Sequence, residues 1–182
     1  MTKKIAVMNQ KGGVGKTTIA DEIAYELEAR GKSVGFMNFD AQGGAVHSAT
    51  VIDGTEDYVV IDTPGHMDKD FMKVASLADV VIIPTTPGRE EMVPLVRSYD
   101  AARQAKDTVI GVVLNRFEEN QLVDKDFLRF VQNAEMPIWG IIPKATGISQ
   151  AHAMYSSVSE YLGETNKVAQ AFKNLVDKIE EA

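Results

Sequence analysis

The chain of 182 residues contains no cysteine, and this absence excludes several classes of site. It rules out a disulfide, a thiolate nucleophile, an iron–sulfur ligand set and a cysteine-type zinc site. No apolar run approaches the roughly 18 residues that span a bilayer, and the first apolar run is too short for a signal peptide. Basic charge is not in excess either, because the formal net charge is −7. That charge argues against a broadly basic nucleic-acid binder but leaves a local basic patch open.

Short apolar runs rich in Val and Ile alternate with amphipathic stretches along the chain. Strands buried on both faces have this composition, which predicts an α/β fold with a mostly parallel sheet and helices on both faces. The predicted strands are KIAVMN, SVGFMNFD, YVVIDT, DVVIIPT, TVIGVVLN and PIWGIIP. The predicted helices are 16–30, 68–78, 89–106, 124–134, 149–158 and 165–181. No linker or repeat is visible, so we expect residues 1–182 to form a single domain.

The stretch MNQKGGVGKTT, residues 8–18, has the context of a phosphate-binding loop. It follows an apolar strand and opens a helix at Lys16, whose charge would neutralise the β and γ phosphates. The Thr17 hydroxyl suits Mg²⁺, and Thr18 would bond an α-phosphate. Gln10 departs from G-x-x-x-x-G-K-[ST], where the first glycine is expected. The turn is instead made by Gly12, Gly13 and Gly15, whose backbone N–H groups can curl around phosphate oxygens.

A second lysine, Lys11, precedes the loop's main cation. At the edge of the loop it is badly placed to duplicate Lys16 on the same nucleotide. It would instead reach a phosphate on a facing subunit and supply the charge that arginine fingers supply elsewhere. The alternative is an ordinary solvated surface lysine.

Two carboxylates follow predicted strands. Asp40 would polarise the attacking water or hold a magnesium-bound water, although a turn-forming role is the alternative. Asp62 ends the apolar run YVVID and is placed to bind Mg²⁺ through water. The residues after it, 63–65, would sense the γ-phosphate through a backbone N–H.

Asn115 ends the predicted strand TVIGVVLN. Its amide offers a donor and an acceptor to a base edge, although a plain turn role at the strand end is the alternative. Arg116 and Glu118 replace the lysine and aspartate of the GTPase N-K-x-D element, so guanine is the less expected base. The histidines show no metal-ligand spacing and are expected at the surface or in loops; they are His47, His66 and His152.

The stretch KGGVGKTT resembles the deviant Walker A motif of the ParA/MinD ATPases, in which the early lysine is the signature residue. The resemblance implies a SIMIBI-type P-loop NTPase fold, ATP and Mg²⁺ as cofactors, and an ATP-sandwich dimer in which Lys11 crosses to the partner's phosphates. It assigns hydrolysis to Asp40, although Asn38 and Ala41 depart from the family pattern D-x-D-P-Q-G. It also places Asn115 against adenine, with the loop that begins at Pro143 lining the base.

The resemblance and the loop chemistry together give three sets of site residues. The expected catalytic residues are Lys11, Lys16 and Asp40. The expected magnesium ligands are Thr17, Asp40 and Asp62. The expected nucleotide-binding residues are Lys11, Gly12, Gly13, Val14, Gly15, Lys16, Thr17, Thr18, Asn115 and Pro143.

Within the family, the sequence is most similar to the small plasmid-partition ParA proteins of the ParF type. Without cysteine it does not match the iron–sulfur members, and the mixed charge of 165–181 disfavours MinD-like membrane binding. The first strand begins near residue 4, so no N-terminal helix-turn-helix domain is expected. The stretch between DAQGGA and YVVIDT is shorter than is usual in the group, so we expect a helix to be missing there.

The resemblance implies a weak, partner-stimulated ATPase that segregates plasmid or chromosomal DNA. ATP would join a homodimer, or a polymer built from it, which binds nonspecific DNA in the cytoplasm at the nucleoid. A centromere-binding adaptor of the ParB/ParG kind would stimulate hydrolysis. The DNA-contact candidates, which are alternatively just a solvated face, are Arg89, Arg97, Arg103 and Lys106. Other possible functions are a MinD-like or cargo-positioning ATPase and a small-molecule ligase of the dethiobiotin-synthetase kind.

Overall fold

The structure is a computed structural model that describes residues 1–39, 44–65 and 70–182. Its strands are β1 (Lys3–Val7), β2 (Val34–Asn38), β3 (Tyr58–Asp62), β4 (Val80–Thr85), β5 (Val109–Phe117) and β6 (Ile138–Pro143). Its helices are α1 (Lys16–Ala29), α2 (Phe71–Ala75), α3 (Arg89–Ala102), α4 (Leu122–Asn133), α5 (Thr146–Ala153), α6 (Val158–Leu162) and α7 (Lys167–Glu181).

The described strands form one parallel sheet in the order β2-β3-β1-β4-β5-β6. One apolar core lies between the sheet and α1, α5, α6 and α7, and a second lies between the sheet and α2, α3 and α4. The predicted α/β sheet with helices on both faces is therefore confirmed. None of the helices in the described ranges is long and apolar enough to cross a membrane.

The C-terminal helix α7 packs against the sheet as its periodicity predicts. Asn166 caps its N-terminus by accepting a hydrogen bond from the Val168 backbone N–H at 2.9 Å. The apolar stripe spaced at helical period faces the core, and its members are all buried: Val168, Phe172, Leu175, Val176 and Ile179.

Some predicted helix bounds differ from the structure. The predicted helix 149–158 is wrong, because two shorter helices, α5 and α6, flank a turn at this place. The turn includes Tyr155 at a left-handed φ of 54°, which ends the first helix. Ser157 then caps α6 by accepting a hydrogen bond from the Glu160 backbone N–H. Helix α3 ends at Ala102, before the predicted residue 106.

The connection between β2 and β3 contains no helix within its described residues, 44–57, as its short length predicts. It returns instead along the edge strand β2. The Thr50 N–H donates to the Phe36 carbonyl at 2.9 Å, and the Thr50 hydroxyl accepts from the Phe36 N–H at 2.8 Å. These two bonds satisfy part of the open edge that an outermost strand presents.

The parallel arrangement brings the carboxyl ends of the strands to one edge of the sheet. Binding sites of open α/β sheets lie at this edge. The register pairs Val7, the last residue of β1, with Asp62, the last residue of β3, and Asp62 in turn with Asn38 of β2. The loop that follows β1 therefore begins directly beside the end of β3.

Candidate functional site

The glycine-rich loop links β1 to α1 and adopts the conformation that its glycines allow. Gly13 and Gly15 have φ values of 79° and 94°, in the left-handed region that favours glycine. Gly15 is the N-cap of α1, and no side chain caps the helix there. The dipole of α1 favours an anion at this N-terminus.

Lys16 curls back over this loop. Its side chain is buried, and its Nζ donates a hydrogen bond to the Lys11 carbonyl oxygen at 3.0 Å. The ammonium is thus held against the backbone of the loop. A phosphate that enters the loop would meet a positive charge that is already in place.

The other lysine of the loop pairs with helix α3. The Lys11 Nζ lies 2.6 Å from the Glu91 Oε1, in the first turn of α3. The Lys11 side chain is 34% exposed, and that of Glu91 is 8% exposed. In the single chain the ammonium thus pairs with its own α3, and its predicted reach to a facing subunit stays a prediction.

A buried amide anchors the start of the loop. Asn9 is 1% exposed, and its Nδ2 donates to the Pro84 carbonyl of β4 at 2.7 Å. Its Oδ1 accepts from the Lys11 N–H at 2.9 Å and from the Ser98 hydroxyl at 3.1 Å. The Ser98 oxygen accepts in turn from the Gln10 N–H at 3.1 Å. The backbone at Gln10 and Lys11 is therefore held by neighbouring polar side chains, although no glycine stands at position 10.

The residues after β3 lie against the same loop. Asp62 is fully buried at the strand end, and the Thr63 hydroxyl donates to the Val7 carbonyl at 2.8 Å. Gly65 comes so close that a Cβ on it would lie 3.1 Å from the Gly12 Cα. This close approach places the predicted phosphate-sensing segment beside the phosphate loop. Asp40, predicted to act in hydrolysis, lies outside the described residues.

Asn115 ties β5 to the loop, but it does not end the strand as predicted, because β5 continues to Phe117. Its Nδ2 donates to the Val14 carbonyl at 2.9 Å, and its Oδ1 accepts from the Arg116 N–H at 2.9 Å. A side chain at Gly15 would overlap the Nδ2. The amide thus stabilises the loop, which leaves one N–H and one lone pair for a base. Contact with adenine remains a prediction.

Two neighbouring cavities lie at this edge of the sheet. One of about 190 Å³ is lined by the loop, by Thr63 and Gly65, and by Arg116. The next, of about 420 Å³, shares Thr18 and Arg116 with it and is also lined by Asn115 and by residues 144–146. This succession of a small polar cavity and a larger one is a candidate site for a nucleotide.

Pro143 lies elsewhere. It lines a separate cavity of about 530 Å³ together with Trp139 and Lys167. The residues of its loop that line the cavity next to the phosphate loop are Lys144, Ala145 and Thr146. The predicted contact between Pro143 and a base stays a prediction.

Arg116 is a residue of this site that the sequence did not single out for binding. It adopts a left-handed φ of 56°, an uncommon conformation for an arginine. Its exposed side chain lines both cavities of the site. A non-glycine residue held in this conformation beside a cleft is a functional candidate. The sequence signal was its position directly after Asn115.

Comparison with known proteins identifies the family. The family described as "CobQ/CobB/MinD/ParA nucleotide binding domain" matches residues 5–158. The chain belongs to this family. The match covers the phosphate loop, the end of β3 and the end of β5, so the contacts described above lie within a MinD/ParA-type domain.

Two individual relatives are 25% and 33% identical to this chain over the matched residues. "Maintenance of carboxysome distribution protein A" from Gloeobacter kilaueensis is 25% identical over 193 residues, which cover 92% of this chain and 88% of the relative. "Sporulation initiation inhibitor protein Soj" from Bacillus subtilis is 33% identical over 126 residues, 60% of this chain, and the match spans about half of Soj, 49%.

The solved structure of MinD from Pyrococcus horikoshii, a complex with Mg-ADP, superposes with a TM-score of 0.79. The superposition covers 100% of this chain and 97% of that one, at 18% identity. At this identity the likeness shows the fold, which is that of a MinD/ParA-type P-loop domain.

The residues present fit a magnesium nucleotide. The glycine-rich turn, the buried Lys16 and the N-terminus of α1 are suited to an anion. Thr17 lies in the first turn of this helix, and the buried Asp62 ends the adjacent strand β3. The described residues hold no cluster of three or more metal-ligating side chains. A full protein cage is not needed, since Mg²⁺ is usually bound by one or two protein groups, phosphates and water.

Two histidines pair with buried carboxylates on α1. His47 lies in a loop, as predicted, but its side chain is largely buried and its Nδ1 lies 2.9 Å from Asp21 Oδ1. His152 lies in helix α5 with its side chain largely buried, so the prediction is wrong for it, and its Nε2 lies 2.8 Å from Glu22 Oε1. Burial lowers the pKa of His47, but hydrogen bonds and charge attraction from Asp21 and Glu28 outweigh it, so the pKa is raised. His66 lies outside the described residues.

The predicted DNA contacts are all exposed. Arg89 and Arg97 lie on α3, and Arg103 and Lys106 follow it. The Arg103 guanidinium lies 5.8 Å from the centre of the Tyr99 ring, which is within cation–π range. Exposure is required for DNA binding but is equally true of a solvated face, so this role stays a prediction.

Proposed function

We propose that the chain is a ParA-type ATPase that hydrolyses ATP to ADP and phosphate and uses ATP to join two copies of itself. The observation that carries this proposal is the pair of lysines on one phosphate loop. Lys16 is buried and bonded to the loop backbone, whereas Lys11 pairs with α3 and its side chain is 34% exposed. We infer that this second cation meets phosphates that the loop itself does not hold.

The predicted residues of the site have the following roles in this proposal. Lys16 neutralises the phosphates, and Thr17 and Asp62 would hold Mg²⁺, which when bound offsets the negative charge of the phosphates. Asp40 orients and polarises the attacking water. The backbone N–H of Gly65, beside Gly12, senses whether a third phosphate is present.

The cellular role that we propose is segregation of DNA. A symmetric dimer would bring the exposed cations of two chains onto one surface, although each chain has a net charge of −7. Binding to nonspecific DNA would then weaken steeply with salt, because phosphate contacts release counterions. A centromere-binding adaptor of the ParB/ParG kind would stimulate hydrolysis, and the complex would lie in the cytoplasm on the nucleoid.

A second candidate function is the positioning of other cargo. It is favoured by the similarity to a protein named for carboxysome distribution, which extends over 92% of this chain. The same ATP cycle would serve both roles with different adaptors. Identification of the partner that stimulates hydrolysis separates them.

The proposal is tested by phosphate release and by the mass of the particle in solution. The wild type with ATP and Mg²⁺ should form a dimer and hydrolyse slowly, whereas ADP should leave a monomer. Lys16→Ala should bind no nucleotide. Lys11→Ala should still bind but should lose dimer-coupled hydrolysis, so wild-type turnover by Lys11→Ala would refute the cross-subunit role. Absence of DNA retention at low salt with ATP would refute the segregation role.

A further inference from the structure

The pair between Lys11 and Glu91 joins the phosphate loop to α3 in the single chain. Its atoms are 2.6 Å apart, a contact in which the ammonium donates directly to the carboxylate. Among the described residues, the other oxygen of Glu91, Oε2, is buried and has no hydrogen-bond partner. The carboxylate therefore depends strongly on Lys11 for compensation of its charge.

The two partners differ in their freedom to move. Glu91 belongs to the first turn of α3, and its side chain is only 8% exposed. Lys11 is 34% exposed and lies on a flexible four-carbon stem. Any separation of the pair thus moves the lysine and leaves the carboxylate buried. Removing one partner of a buried pair is unfavourable, because the remaining charge is uncompensated.

We propose that Glu91 is a positioning residue that competes with nucleotide phosphate for Lys11. This inference rests on the proposed ATP-joined dimer. In the nucleotide-free chain Glu91 holds the ammonium against α3, and joining two chains requires Lys11 to leave it for phosphate. The competition opposes dimer formation until a ligand of higher negative charge is present.

The structure offers a matched pair of variants for the test. Glu91→Gln removes the charge but keeps the shape and a hydrogen-bonding group. Glu90→Gln removes the same charge from the same helical turn, at an exposed position next to Glu91. Both variants change the interaction with the α3 dipole alike, so a difference between them reports the contact with Lys11.

The measurement is the dissociation constant of the dimer by sedimentation, with a slowly hydrolysed ATP analogue and Mg²⁺. Glu91→Gln should tighten the dimer about tenfold for each pair released, which corresponds to roughly 1.4 kcal/mol. Glu90→Gln should match the wild type. Glu91→Asp, which keeps the carboxylate, should lie between the wild type and Glu91→Gln.

A second readout follows Lys11 itself in the nucleotide-free monomer. Amine acetylation, followed by mass spectrometry, should modify Lys11 faster in Glu91→Gln than in the wild type, relative to the exposed Lys106. A merely structural role of Glu91 would leave this ratio unchanged in a variant whose circular dichroism is that of the wild type.

The possible results separate the inference from the proposed function. If the wild type dimerises with the analogue and Glu91→Gln equals it, the inference is overturned and the dimer stands. If Glu91→Gln dimerises more weakly, as Lys11→Ala should, Glu91 holds Lys11 in its productive position and the competition is refuted. If the wild type stays monomeric with the analogue, the proposed dimer is refuted and the inference with it.

Discussion

Replacement of Asn9 by alanine should destabilise the protein through the phosphate loop. The side chain is 1% exposed and makes three hydrogen bonds, to the Pro84 carbonyl at 2.7 Å, from the Lys11 N–H at 2.9 Å and from the Ser98 hydroxyl at 3.1 Å. Each intramolecular hydrogen bond contributes about 1 kcal/mol net. Asn9→Ala should therefore lower the free energy of unfolding by about 3 kcal/mol. It should also weaken nucleotide binding, because the backbone at Lys11 loses its anchor.

Urea unfolding measures this change, with the fluorescence of the single tryptophan, Trp139, as the signal. In a chain of this size, about 3 kcal/mol corresponds to roughly 6–12 °C in Tm. Ser98→Ala removes two of the network's bonds and should cost about 2 kcal/mol. The control is Ser149→Ala, which removes an exposed serine bonded only to the Thr146 carbonyl and should change stability by under about 0.5 kcal/mol.

A loss below about 1 kcal/mol in Asn9→Ala would refute the reasoning, since it would mean that the network adds nothing to the loop. The same conclusion follows if Asn9→Ala and Ser98→Ala are additive in the double variant. Residues that share a hydrogen bond should instead show a coupling energy of about 0.5 kcal/mol or more.

Three further predictions concern the site and its surroundings. Asp40→Ala should bind ATP and keep the assembled state, measured by gel filtration, and normal turnover would move the catalytic role elsewhere. Arg116→Ala and Arg116→Gly should both bind ATP more weakly in calorimetry, and wild-type affinity in Arg116→Ala would contradict this. Only Arg116→Gly should raise the free energy of unfolding, by up to about 1 kcal/mol, because glycine relieves the left-handed φ. Since the pKa of His47 is raised, its stabilising contribution is present below about pH 6.5 and is lost as pH rises through the folded-state pKa. His47→Gln should remove this part of the pH dependence of urea unfolding. An unchanged profile would count against the pair with Asp21.

The parts of the site that the sequence predicts are those set by local chain geometry. The left-handed φ values of Gly13 and Gly15 follow from the turn between strand and helix. Asp62 ends β3 and Asn115 lies two residues before the end of β5, so both lie toward the carboxyl edge of the parallel sheet. Such positions depend on the chain's direction and period, which the residue pattern contains.

The pairs that connect distant parts of the chain could not be predicted. Asn9 meets Ser98 and Lys11 meets Glu91 only because α3 packs beside the loop, and no residue pattern specifies that contact. The buried Asp21 is another case, because an acidic residue on a helix is ordinarily assigned to the solvated face. Its histidine partner lies in a loop whose path depends on tertiary packing.

The contacts between the phosphate loop and α3 have a thermodynamic consequence. Glu91 and Ser98 are seven residues apart, so they lie on the same side of α3 two turns from each other. A ligand that alters these contacts at the loop must change the free energy of α3. By linkage, any partner that binds α3 and prefers one arrangement of these contacts changes nucleotide affinity by the same factor. Nucleotide binding at the loop and partner binding at α3 are therefore coupled. The binding of such a partner to α3 can be detected as a change in the affinity for nucleotide.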